Sequence, residues 1–140
     1  MGAKPTPTWA VEATQTVRDR LGRDLLGMVI DAPEGGLACC GLVNLAPRLP
    51  KPGAQAHVMG YVQWVSTAPQ HQRKGYGREM MDALLAETDK RGIEVVELHA
   101  TPMGRHLYED LGFYVKDDNV AMVTVRGRAD VPGSDDGDGL

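Results

Sequence analysis

The sequence predicts an α/β fold of the α+β kind: a mixed, mostly antiparallel sheet with flanking helices. Three observations carry this. The β-rich segment Val58 to Thr67 feeds a basic glycine turn, Gln72-Arg73-Lys74-Gly75-Tyr76-Gly77-Arg78, and a strong helical pattern then runs to Arg91. Two apolar runs, Leu25 to Ile30 and Leu37 to Leu45, flank Pro33-Glu34-Gly35-Gly36, which reads as a hairpin turn. A further apolar run, Ile93 to His99, leads into a short helical pattern that starts at Thr101.

In chain order the elements are justified as follows. Thr8 suits a helix N-cap, and Trp9, Ala13, Val17 and Leu21 form one stripe of a helix running to about Arg20. The hairpin strands come next. Ala46 to Ala56 carries three prolines and reads as a loop before the long strand. The helix after the basic turn places Met80, Met81, Leu84, Leu85 and Thr88 inward, and Gly92 ends it. Ile93, Val95, Val96 and Leu98 make the next segment a parallel-type strand. Thr101 is then an N-cap, Pro102 suits the first helical position, and Gly112 is a natural stop. Met103, Leu107 and Leu111 recur every fourth residue as the core stripe of this helix. Gly104 lies one turn before Tyr108, where a missing side chain is expected to leave room for a ligand. Phe113 to Lys116 and Val120 to Val125 read as a final hairpin around Asp117-Asp118-Asn119. Residues 1–8 and the acidic tail 129–140 are expected to be disordered, leaving 9–128 as one domain.

Composition narrows the function classes. The 140 residues suffice for one proper core. No apolar run reaches the 18 or so residues of a membrane span, and no hydrophobic signal region follows the N-terminus, so a cytoplasmic protein is expected. The net charge of −4 is concentrated in the tail, at Asp130, Asp135, Asp136 and Asp138. Without these four, acids and bases balance, so neither a nucleic-acid surface nor a membrane surface is expected. Cys39 and Cys40 are adjacent, point to opposite faces of a strand, and read as buried free thiols. No metal site is expected.

The chemistry is concentrated in the basic turn. A strand that breaks into a glycine turn and then a helix makes an anion cradle, because N–H groups and the helix dipole both favour negative charge there. Gly75 and Gly77 let the backbone approach a phosphate, and Arg73, Lys74 and Arg78 add local positive charge. No third glycine completes G-x-G-x-x-G, and no Gly-Lys-Ser/Thr follows as in a nucleotide P-loop.

Gln72-x-x-Gly75-x-Gly77 resembles motif A of the GNAT superfamily of acetyl-CoA-dependent N-acyltransferases, Gln/Arg-x-x-Gly-x-Gly/Ala. Leu107-Tyr108-x-x-Leu111-Gly112-Phe113 resembles the family's motif B, Leu-Tyr-x-x-Leu-Gly-Phe, and the two are separated by a helix and a strand in the family's order. The resemblance covers roughly residues 9–127. It implies a GNAT fold with a splayed central strand pair, with the family's usual first strand and helix missing ahead of Trp9.

The resemblance also implies roles. Gln72, Arg73, Lys74, Gly75, Tyr76, Gly77 and Arg78 would hold the phosphates of acetyl-CoA, the acyl donor. Val65, Ser66 and Thr67 would pair with its pantetheine arm, and an N–H at or near Val65 would stabilise the oxyanion. Thr101 stands where motif B often has asparagine, and its hydroxyl can replace one of that amide's hydrogen bonds to the arm. Tyr108 takes the general-acid position, and a phenol with a pKa of about 10 is protonated at neutral pH. Some relatives place a glutamate where Tyr61 stands, with Gln63 on the same strand face; both are substrate-side candidates, and neither is a good base. His57, His99 and Glu97, a water chain, or an acceptor of low pKa remain as ways to deprotonate the amine. The implied function is N-acetyl transfer to an amine of a small molecule or protein, with a homodimer as one way to cover an open acceptor side. The alternative is a non-catalytic acyl-CoA-binding or sensing module.

Overall fold

The computed structural model describes residues 7–50, 52–53, 58–116 and 121–127. They fall into two compact units, one spanning Pro5–Leu98 and the other containing the chain from His99 onward. His57 and the tail from Arg128 lie outside the described residues, as do residues 1–6 and 117–120.

The first unit holds a four-stranded sheet in the order β1-β2-β3-β4. Helix α1 (Pro7–Arg20) precedes β1 (Leu25–Asp31), β2 (Leu37–Pro47) and β3 (Val58–Thr67); helix α2 (Tyr76–Lys90) and β4 (Val96–Glu97) follow. The α1 helix takes in Pro7 and Thr8, so the helical pattern begins at Pro7 rather than after Thr8. β1, β2 and β3 are antiparallel neighbours, and the β1–β2 turn uses Gly35 and Gly36 at φ 106° and 77°. A left-handed backbone of this kind favours glycine.

Helix α2 packs on one face of this sheet. Met80, Met81, Leu84 and Thr88 are buried there, while Leu85 is only half-buried. The buried Thr88 hydroxyl donates to the Leu85 carbonyl at 2.8 Å, so its burial leaves no orphan donor. Burying each large apolar side chain contributes about 1.5–3 kcal/mol. Gly41 makes the approach close: a Cβ there would lie 2.9 Å from Leu84 Cδ1 and 3.1 Å from Met80 Sδ. Gly92, at φ 72°, follows the helix as the sequence predicts.

The opposite face carries Leu42, Asn44, Tyr61 and Gln63, because strand neighbours alternate. Helix α1 runs on this side: Arg20 Nη2 donates to Asn44 Oδ1 at 2.6 Å, and Asn44 donates to Gln63. No residue of α1 is buried, so its apolar stripe stays largely open. Cys39 is buried, whereas Cys40 is only half-buried, and both thiols are free.

Two expected strands are shorter or absent. Only Val96–Glu97 of the run from Ile93 to His99 is strand, pairing in parallel with Gly60 and Tyr61. Neither Phe113–Lys116 nor the described residues 121–125 form strand. These residues are apolar enough for a strand, but they find no ladder partner, and periodicity alone cannot supply one. In the second unit, α3 (Arg105–Asp110) is the helix among the described residues. Among the described residues no helix is long and apolar enough to cross a membrane.

Candidate active site

The basic turn is built by backbone conformation. β3 ends at Thr67, a 3-10 turn covers Pro69–His71, and Arg73 and Gly75 then take left-handed backbone at φ 63° and 84°. Gly75 is the N-cap of α2 and offers no side-chain cap. The first N–H groups of a helix have no intrahelical acceptor, so this end presents donors and the positive end of the dipole. Space for a Cβ at Gly75 is open, which leaves room for an anion to approach the backbone. Gln72 braces the turn from behind: its Nε2 donates to the Thr67 carbonyl at 3.3 Å. Lys74 is turned toward the protein, donating to His71 Nδ1 at 3.4 Å.

His71 is a feature that sequence reasoning missed. Its side chain is 5% exposed, and its Nε2 lies 2.6 Å from Glu34 Oε2 in the β1–β2 turn. Its ring also meets Tyr76 edge-on, with centroids 5.8 Å apart. A ring with its proton on Nε2 satisfies both contacts, donating to Glu34 and accepting from Lys74. The hydrogen bond from His71 holds the Glu34 carboxyl below the usual carboxylate range. The hairpin tip is thereby tied to the segment that leads into the basic glycine turn. The pairing spans 37 residues of sequence, and no local pattern announces it.

Ahead of the turn, β3 departs from regularity. Cys40 pairs with Ser66 and Leu42 with Gln63, so Trp64 and Val65 together oppose Gly41. This is a β-bulge, and Trp64 sits in it at φ 58°, a costly conformation for a bulky residue. On the other side, the parallel pairing with β4 covers only Gly60 and Tyr61. Among the described residues no strand pairs with Val65, Ser66 or Thr67 on that side, which leaves an edge for hydrogen bonding. The Cys40 thiol donates to the Trp64 carbonyl at 3.7 Å, and burial pushes this thiol's pKa up.

Tyr61 and Gln63 lie on the α1 side of β3, Gln63 bonded to Asn44. Trp9 and Trp64 meet across this face with ring centroids 5.9 Å apart. Glu97 is exposed in β4.

The second unit carries Tyr108 on α3. The ring is half-buried, stacks edge-on against Phe113 at 5.9 Å, and burial raises its pKa. The phenol therefore keeps its proton at neutral pH. A Cβ at Gly104 would lie 3.2 Å from Tyr108 Cε2. The glycine makes room for the tyrosine ring itself. Thr101 caps the turn before α3, its hydroxyl accepting from the Gly104 N–H at 3.3 Å. Gly112, at φ 97°, follows the helix as the sequence predicts. Met103 is 92% exposed and is no core residue; Leu107 and Leu111 are half-buried. The helix starts at Arg105, two residues past Met103, so Met103 stands outside the period that would turn it inward. His99 is exposed. Among the described residues no group of three or more His, Cys, Asp or Glu is placed to hold a metal ion.

The chain matches solved structures over most of its length. A predicted acetyltransferase from Clostridium acetobutylicum, solved with acetyl-CoA, is 21% identical, with a TM-score of 0.73 over 87% of this chain and 79% of that one. Glucosamine-6-phosphate N-acetyltransferase from Arabidopsis thaliana is 18% identical, with a TM-score of 0.70 over 90% of this chain and 82% of that one. A GCN5-related N-acetyltransferase from Ralstonia eutropha JMP134 is 24% identical, with a TM-score of 0.68 over 86% and 82%. At these identities the likeness establishes the fold. No curated protein matches the sequence significantly. The family model described as the acetyltransferase (GNAT) domain matches residues 1–115, and the chain belongs to that family.

Proposed function

We propose that this protein is an N-acetyltransferase that moves an acetyl group from acetyl-CoA to a primary amine. The observation that carries the reading is the turn at Gly75: a left-handed glycine N-cap, no side-chain cap, open space at its Cβ position, and basic residues on either side. That arrangement suits the phosphates of acetyl-CoA, with Gln72 to Arg78 as the residues that would hold them. The edge of β3 at Val65, Ser66 and Thr67 suits the amide-rich pantetheine arm. When bound, acetyl-CoA supplies an activated acyl group as a thioester.

The chain's own residues do the rest. An N–H of the bulge at or near Val65 stabilises negative charge that develops on the carbonyl oxygen. The amine nitrogen bonds to the carbonyl carbon and gives its proton to solvent; the C–S bond breaks; the sulfur takes the Tyr108 phenol proton, which solvent replaces. Burial keeps that proton on Tyr108 until it is needed. Thr101 is assigned to the motif-B end of the arm, while Tyr61 and Gln63 face the acceptor. Acetyl-CoA and two free thiols suit a reducing compartment, and the cytoplasm is the compartment proposed.

Two measurements test this. Acetyl-CoA should raise the melting temperature, since a ligand that binds only the folded state stabilises it. Thiol release across a panel of amines should then show acceptor-dependent turnover. Acetyl-CoA binding with no release on any amine would favour the non-catalytic sensing module.

A further inference from the structure

The acceptor side of β3 has a composition that selects among amines. A groove of about 440 Å³ runs between α1 and the bulge of β3, lined by Trp9, Ala13, Val17, Leu21, Trp64 and Arg18 among others. Its volume lies within the range of small-molecule sites, roughly 300–1,000 Å³. Its wall is almost wholly apolar. Trp9 and Trp64 remain 49% and 53% exposed although their rings meet at an interplanar angle of 40°. Together they make a half-exposed aromatic surface.

Two further observations give the groove an occupant. The first is the backbone of Trp64. A tryptophan is held at φ 58° in a bulge, a conformation that costs free energy and persists at functional sites. The bulge sets the indole against α1, and the next residues, Val65 to Thr67, are the edge assigned above to the thioester arm. The groove therefore borders the strand segment where transfer is proposed. The second observation is charge. Among the described lining residues the one charged side chain is Arg18, and none is an acid. A polyamine, an aminoglycoside or a lysine in a basic peptide would bring extra cations to a wall that has no carboxylate for them and one cation against them. A sugar amine would bring hydroxyls to a wall with almost nothing to bond them.

We infer that the acceptor is a primary amine on an aromatic or extended apolar body with no second cation, seated on Trp9 and Trp64. The inference rests on the acetyl-transfer reading above and narrows it to a substrate class.

The test uses the full chain with acetyl-CoA and three acceptors: 2-phenylethylamine, spermidine and glucosamine 6-phosphate. The aromatic amine should have the highest kcat/KM by tenfold or more. Trp9→Ala should raise KM for 2-phenylethylamine at least tenfold while the Kd of acetyl-CoA stays within twofold. Trp64→Asn, which tolerates left-handed backbone, should do the same if the Trp9 variant is poorly folded. Arg18→Glu should improve kcat/KM for spermidine. Equal or better turnover of spermidine or glucosamine 6-phosphate, with acetyl-CoA bound normally, overturns the substrate class and leaves acetyl transfer standing. Failure of the wild type to bind acetyl-CoA by calorimetry overturns both. A homodimer that Trp9→Ala dissociates, with 2-phenylethylamine turnover unchanged, assigns the groove to a second copy of this chain and also overturns the inference.

Discussion

The two units of this protein hold their candidate residues by different means. In the first, the basic glycine turn is anchored by burial: α2 sinks Met80, Met81, Leu84 and Thr88 into the sheet, and His71 is locked between Glu34, Lys74 and Tyr76. In the second, Tyr108 is held by local bonds. Its N–H donates to the Gly104 carbonyl, its own carbonyl accepts from Leu111 and Phe113, and no residue of α3 is buried. Under the proposed function, the group that binds a highly charged ligand sits on a rigid frame, and the group that delivers a proton sits on a short helix with a half-buried ring. Substitutions in the first unit should therefore disturb stability and cofactor binding together, while those around Tyr108 should separate chemistry from stability.

The largest expected effect is on chemistry in the second unit. Tyr108→Phe keeps the ring and its contact with Phe113 but removes the proton. Turnover should fall by roughly 10²–10⁴ with the melting temperature and the Kd of acetyl-CoA little changed. Near wild-type turnover on a confirmed acceptor would remove Tyr108 from the mechanism.

The largest effect on stability should be in the first unit. Leu84→Ala empties a fully buried site beneath Gly41 and should cost about 2–5 kcal/mol in denaturant unfolding. A loss below about 1 kcal/mol would mean that α2 is not the anchor described.

A smaller effect should appear in the pH dependence of stability. His71 holds Glu34 below its ordinary range, and Arg20 does the same for Asp24. A depressed carboxylate stabilises the fold above its unfolded value, about 4 for these groups, and that contribution is lost as pH falls through the folded value. Both carboxylates are exposed to solvent, which screens them. Glu34→Gln should therefore lower stability slightly at neutral pH, converge with the wild type in acid, and so flatten the acid limb of a stability–pH curve. An unchanged acid limb would remove the Glu34–His71 tie from the account.

The smallest effect should be at Met103. With its side chain 92% exposed, Met103→Ser should change stability by no more than about 0.5 kcal/mol. A larger loss would restore it to a core stripe.

Much of this was legible in the sequence. Gly92 and Gly112 announce two helix stops because only certain backbones need them, and both have positive φ, as does Gly75 in the expected glycine turn. Met80, Met81, Leu84 and Thr88 announce a buried face through their period. What stayed hidden depends on tertiary partners. Gly60-Tyr61-Val62-Gln63-Trp64-Val65 reads as an unbroken strand, yet Gly41 across the sheet faces two of its residues. Met103 fits a helical period but lies ahead of the helix. Ile93 to His99 has strand composition, and only two residues of it find a ladder. The Trp9–Trp64 meeting joins a helix to a bulge across 55 positions, and no motif marks either residue.

The central claim is that the turn from Gln72 to Arg78 anchors the phosphates of acetyl-CoA. Gly77→Asp tests it most directly, because it adds a side chain and a negative charge in the first turn of α2. The measurement is calorimetric affinity for acetyl-CoA and for S-acetylpantetheine, which lacks the pyrophosphate, on wild type and variant of matched melting temperature. The account predicts at least a tenfold loss for acetyl-CoA and little change for S-acetylpantetheine. Unchanged affinity for acetyl-CoA, or an equal loss for both ligands, would contradict it.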